Sequence, residues 1–119
     1  MASATAPEGP PPDGDDPLGR HLRAMSARFE RGLLERAAHL RRTAAAWEAG
    51  EESGREGLRV AAHRLKGIAG SCGHPDLGAW AAQVEEAAKA SERPRGVEEA
   101  RALAAEADRR GAVAVARDG

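Results

Sequence analysis

Aromatic side chains are scarce in this chain of 119 residues, which has one Phe, two Trp and no Tyr. That scarcity excludes a thick aromatic core and also a platform on which nucleic-acid bases could stack. Cys72 is the single cysteine, so no intrachain disulfide can form and no zinc set can be completed with it. No stretch approaches the ~20 apolar residues that span a bilayer, and the amino terminus lacks the basic-then-apolar layout of a secretion signal. An excess of one charge is missing too. Lys and Arg number 18 against 19 Asp and Glu, interspersed along the chain, which leaves no basic stripe for a phosphate backbone. Neither nucleic acid nor membrane is therefore expected as a partner, and the cytoplasm is the default location. Period-two alternation and β-branched runs are also lacking, so no strand is predicted.

Alanine is plentiful, and apolar residues recur at helical spacing. Residues 1–16 hold most of the prolines and almost no large apolar side chain, and read as a disordered Pro/Gly/Asp-rich leader. Asp16-Pro17 forms an N-cap followed by proline at the first helical position, opening a short helix from Leu18 toward Met25. From Leu22 the series Met25, Phe29, Leu33, Ala37, Leu40, Ala44 and Trp47 keeps to one helical face, with a bend expected near Ser26 and an end at Gly50. Ser53 with Glu56 suggests a capping box for the next helix. Its apolar stripe is Leu58, Ala62, Leu65, Ala69 and Cys72, where the cysteine reads as a small buried hydrophobe. Gly73-His74-Pro75 stops that helix, with His74 expected to cap the next, whose buried side is Leu77, Trp80, Ala81, Val84 and Ala88. Residues 91–96 read as a break before a last helix from Val97 to about Arg110, followed by a frayed tail over 112–119. The predicted fold is all-α: an antiparallel up-and-down four-helix bundle over residues 17–111 with a short additional N-terminal helix.

Opposite the Leu58-to-Cys72 stripe lies His63-Arg64-Leu65-Lys66-Gly67. At about 100° per residue, Lys66, Gly67 and Gly70 fall at about −60°, +40° and −20° from His63, so all share one exposed face. An exposed imidazole is largely neutral at cellular pH and offers a lone pair to an electrophilic phosphorus. Phosphoryl transfer needs charge compensation, which Lys66 can supply from one turn away. Each glycine inside a helix costs ~1 kcal/mol relative to Ala, so Gly67 and Gly70 need a reason. Either the helix ends near Gly67, or another backbone, from this protein or a partner, comes close to His63. The stripe's continuation past Gly67 to a better stop at Gly73 favours close approach. His21, His39 and His74 show no metal-ligand spacing, so no metal site is expected.

The run His63-Arg64-Leu65-Lys66-Gly67-Ile68-Ala69-Gly70-Ser71-Cys72-Gly73, followed by Leu77, Ala81, Val84 and Glu85, resembles the histidine-containing phosphotransfer (HPt) domain, whose hallmark is His-x-x-Lys-Gly. The resemblance extends more weakly over residues 17–110, with the Phe29-to-Trp47 helix similar to the long helix that precedes the histidine helix in that family. It implies a phosphoryl carrier in a multistep two-component phosphorelay: His63 accepts phosphate from an aspartyl phosphate on a response-regulator receiver domain and passes it to another. It further implies that a polar side chain on the following helix orients the imidazole. Glu85 stands where that partner is found in some members, and Lys89 matches a basic position seen in some relatives. The bland alternative for both is an ordinary i, i+4 surface pair. Gln83 is a weaker substitute for Glu85, because it points elsewhere. The docking face for the receiver would comprise Gly67, Gly70, Lys89 and Arg64.

No Gly-rich nucleotide loop, kinase signature or Ser-His-Asp set is present, so the chain is expected to be a carrier and not an enzyme. Phosphate must come from outside, from receiver domains or a hybrid histidine kinase, and Mg²⁺ is expected on the partner receiver, with no cofactor of the chain's own. A monomer is expected. Two rivals stand beside the carrier: a helical adaptor that binds receivers or kinases without accepting phosphate, and a homodimeric bundle built on the Ala-rich helices.

Overall fold

The computed structural model describes residues 16–118, so the expected leader lies outside the described residues but for Asp16. The described chain is an all-α bundle of five helices, α1 Pro17–Arg31, α2 Leu33–Glu48, α3 Glu52–Ser71, α4 Pro75–Lys89 and α5 Arg93–Asp118. Asp16 caps α1 as the sequence predicts, its carboxylate accepting from the N–H groups of Leu18 at 3.2 Å and Gly19 at 3.1 Å.

Three turns of one construction join α2 to α5. The residue after the C-cap takes a left-handed conformation at Gly50 (φ 94°), Gly73 (φ 87°) and Ser91 (φ 56°). In each, the next N–H reaches back to a carbonyl five residues earlier: Glu51 to Ala46, His74 to Ala69, Glu92 to Ala87. Such tight closures return each helix onto the one before. Gly54 of α3 lies against Ala46 and Trp47 of α2, Gly78 of α4 against Lys66 and Gly70 of α3, and Gly96 of α5 against Trp47 and Ala87. Arg101 pairs with Glu48, and Gly111 meets Leu34, so α5 also lies along α2. The shared core is mostly Leu and Ala, with Leu33, Leu40, Leu58, Leu65, Leu77 and Leu103 at 1 % exposure or less. Small side chains let the helices come close enough to bury these leucines with only Phe29 and Trp47 as buried aromatics.

Several boundaries differ from the sequence expectation. The helix break falls at Gly32, not near Ser26. Phe29 and Leu33 are both anchored in the core, and Gly32 between them has ψ near zero and shares its N–H between the Arg28 and Phe29 carbonyls. Leu22 is 47 % exposed instead of buried, within an exposed run from Arg20 to Ala24, so the buried anchor of α1 is Phe29. No Ser53 capping box forms: the Gly50 turn launches α3 directly from Glu51, and Glu56 pairs with Arg59. The break before α5 is only residues 90–92. Pro94 sits in the first turn of α5, where its missing N–H has no helical partner to lose, and Gly96 is needed under the Trp47 ring. The expected fraying past Gly111 is replaced by helix to Asp118, held by buried Ala114 and by the Arg31–Asp118 and Glu30–Arg117 pairs.

Candidate functional site

Helix α3 turns Leu58, Ala62, Leu65, Ala69 and Cys72 inward, which leaves His63, Lys66, Gly67 and Gly70 on its outer face. The His63 side chain is 63 % exposed. Beneath it, α4 contributes Glu85, the one buried charged residue among the described residues, at 2 % exposure. Its Oε2 lies 2.9 Å from His63 Nδ1, and its Oε1 lies 2.8 Å from Lys66 Nζ. The Lys66 contact is an ion pair and not an aligned hydrogen bond, for no well-directed donor reaches that buried oxygen. Lys89 adds a second cation, with Nζ 3.5 Å from Oε2. Burial pushes the Glu85 carboxyl up, yet the contacts with Lys66 and His63 and the charge of Lys89 outweigh it and hold the group down at about 2.

An ionised carboxylate can only accept, so the hydrogen that binds it sits on His63 Nδ1 and the lone pair is left on Nε2. The arrangement offers a fixed tautomer, an exposed nucleophilic nitrogen and an anion placed to stabilise positive charge on the ring. Lys66, 42 % exposed, neutralises Glu85 while keeping access to solvent.

Gly67 and Gly70 have no neighbour within 4 Å of where a Cβ would stand. The helix does not end at Gly67, and although Gly78 of α4 packs on the Gly70 backbone, the side on which a Cβ of either glycine would stand is open. Beside it runs a groove of about 570 Å³ lined by Met25 of α1, Arg36 of α2, and His63, Arg64, Gly67, Ile68 and Ser71 of α3. Arg64 is thus on the α2 side of His63 and Lys89 on the α4 side. Met25, Arg36, Ile68 and Ser71 are not among the site residues expected from the sequence, although Ile68 and Ser71 lie in the run that carries the resemblance. Lys89 also reaches 4.0 Å from Glu86, so it combines an ordinary surface pair with a place at the site. Gln83 accepts from Arg95 at 3.0 Å, directed toward α5 and away from His63. Among the described residues no cluster of three or more His, Cys, Asp or Glu side chains could hold a metal, and no helix is long and apolar enough to cross a membrane.

These features, an exposed histidine on a helical bundle with a Lys-Gly pair one turn on, define a class. A family model for the Hpt domain matches residues 21–112, and the chain belongs to that family. Hpt domains are phosphocarriers of two-component signalling and not kinases. No curated protein and no solved structure matches the chain.

Proposed function

We propose that this protein is a phosphorelay intermediate that carries a phosphoryl group on His63 Nε2 between response-regulator receiver domains, including that of a hybrid histidine kinase. The observation that carries the reading is the 2.9 Å contact of His63 Nδ1 with a buried, ionised Glu85, which leaves Nε2 as the nucleophile. In the transfer, the Nε2 lone pair attacks the phosphorus of an aspartyl phosphate, the bond from phosphorus to the aspartyl oxygen breaks, and the Asp leaves as carboxylate. The ring then carries phosphate on Nε2 and hydrogen on Nδ1, and Glu85 stabilises its positive charge. Lys66 divides its charge between Glu85 and the arriving phosphoryl oxygens. Mg²⁺ belongs to the receiver, and Gly67, Gly70, Arg64 and Lys89 form the face on which the receiver docks.

The paired contacts along the helices support an antiparallel up-and-down arrangement of α2 to α5, with α1 as the added helix. On α2 and α5, Trp47 meets Gly96, Arg41 meets Asp108 and Leu34 meets Gly111, so one numbering falls as the other rises. We place the protein in the cytoplasm as a monomer. Incubation with a panel of phosphorylated receiver domains tests the reading. Acid-labile, alkali-stable label on the wild type that vanishes in His63→Gln is expected; no label from any receiver in a full panel sinks the carrier and leaves the adaptor.

A further inference from the structure

His74 takes the N-cap position of α4 as expected, but its side chain makes no capping bond. Its ring is instead the centre of a polar cluster away from His63. The side chain is 15 % exposed, with Nε2 2.8 Å from Glu30 Oε2 of α1 and Nδ1 2.9 Å from Arg110 Nη1 of α5. It also meets the Phe29 ring of α1 at 5.6 Å between centroids. Arg110 bonds Asp76 of α4 and Glu106 of its own helix, and Arg117 bonds Glu30 at 2.6 Å. Arg110 can only donate, so Nδ1 must offer its lone pair, and the ring hydrogen sits on Nε2 and is given to Glu30. One neutral ring thereby satisfies a carboxylate of α1 and a guanidinium of α5. The His74 hydrogen bond, ahead of Arg117 and against burial, holds the Glu30 carboxyl below the usual carboxylate range.

The cluster ties α1 to α4 and α5, alongside the Arg31–Asp118 pair and the Arg36 guanidinium over the Phe29 ring. Phe29 is its one buried side chain, and Leu18 and Leu22 are exposed. Met25, one turn before Phe29, forms a wall of the groove beside His63. The setting of α1 therefore decides where that wall stands.

We infer that His74 is a positioning residue for phosphotransfer: by clipping α1 to α4 and α5 it sets the Met25 wall against which the phosphate-bearing partner is received. This rests on the reading of His63 as phosphoacceptor.

Two variants of the full chain separate the clip from general stability. His74→Phe keeps a ring against Phe29 and loses both polar bonds; His74→Gln has an amide that can donate to Glu30 and accept from Arg110. Three readouts apply: hydrogen exchange over residues 17–31, kcat/KM for transfer from a phosphorylated receiver, and His63 labelling by phosphoramidate, a donor too small to need the groove. Expected for His74→Phe are about tenfold faster exchange in α1, about tenfold lower kcat/KM, and phosphoramidate labelling within about twofold of wild type. His74→Gln should recover most of the receiver transfer. Unchanged receiver transfer in His74→Phe overturns the inference, and so does phosphoramidate labelling that falls in step with transfer. If His74→Phe does not fold, Glu30→Ala removes the same clip from the α1 side and is judged by the same readouts. A wild type that takes phosphate from neither donor overturns the phosphoacceptor reading and this role with it, whereas normal wild-type transfer left intact by His74→Phe overturns the positioning role alone.

Discussion

At the scale of the residue, Glu85 and Gly67 show two ways of building a site. Glu85 is buried where a carboxylate alone would cost several kcal/mol, and Lys66, Lys89 and the His63 ring offset that cost. The place of Lys66 beside His63 was legible from its spacing; its engagement with Glu85 was not, since it depends on a residue one helix away. Gly67 is different, because nothing in the isolated chain requires it. A Cβ there meets open space, so Gly67→Ala should raise stability by roughly 1 kcal/mol through helix propensity, read as a higher Tm. A large residue should do something else: Gly67→Leu is expected to slow transfer from receivers while phosphoramidate labelling of His63 stays near wild type. Equal loss with both donors would mean that Gly67 serves the helix and not the approach of a partner.

At the scale of the element, the turns decide the register of the bundle. Gly50 and Gly73 could be read as helix stops because glycine is the residue that adopts positive φ without a Cβ penalty. Ser91 performs the same task with a side chain; the break was read from residue 91, but Pro94 and Gly96 drew its far boundary too far along. Ser91→Gly should relieve the left-handed strain and stabilise the protein by about 1 kcal/mol, measured by denaturant midpoint at unchanged m-value. No gain there would show that the Ser91 conformation carries no strain. Gly96 was taken for a breaker because its reason, the Trp47 ring lying on it, is 49 residues back along the chain (96 − 47 = 49). The tail past Gly111 was likewise read as fraying, since its anchors on α1 are invisible without tertiary contact.

At the scale of the whole molecule, the buried charge couples the site to stability. The Glu85 carboxyl moves from an ordinary 4.5 to about 2 on folding, so folding favours its ionised form. That contribution is complete above about pH 4.5 and is lost as pH falls through about 2; its size is on the order of 3 kcal/mol. Glu85→Gln should therefore flatten the fall in unfolding free energy between about pH 5 and pH 2. The flattening should be partial, because Asp76, held at about 2 by Arg110, titrates over the same window. An identical pH profile in the variant would show that the carboxylate gains nothing from its three partners.

Local chemistry was enough for much of this protein. The apolar faces of α2 to α5, the Asp16 cap, the Gly50 and Gly73 stops and the His63-x-x-Lys66-Gly67 face all depend on residues within a few turns of one another, where spacing alone fixes direction. Tertiary structure decided the rest. The burial of Glu85 under His63, the Met25 wall of the groove and the three-helix contact of His74 join residues 22 or more positions apart. Which side chains meet at such distances is set by how the helices pack, and no periodicity along the chain encodes it.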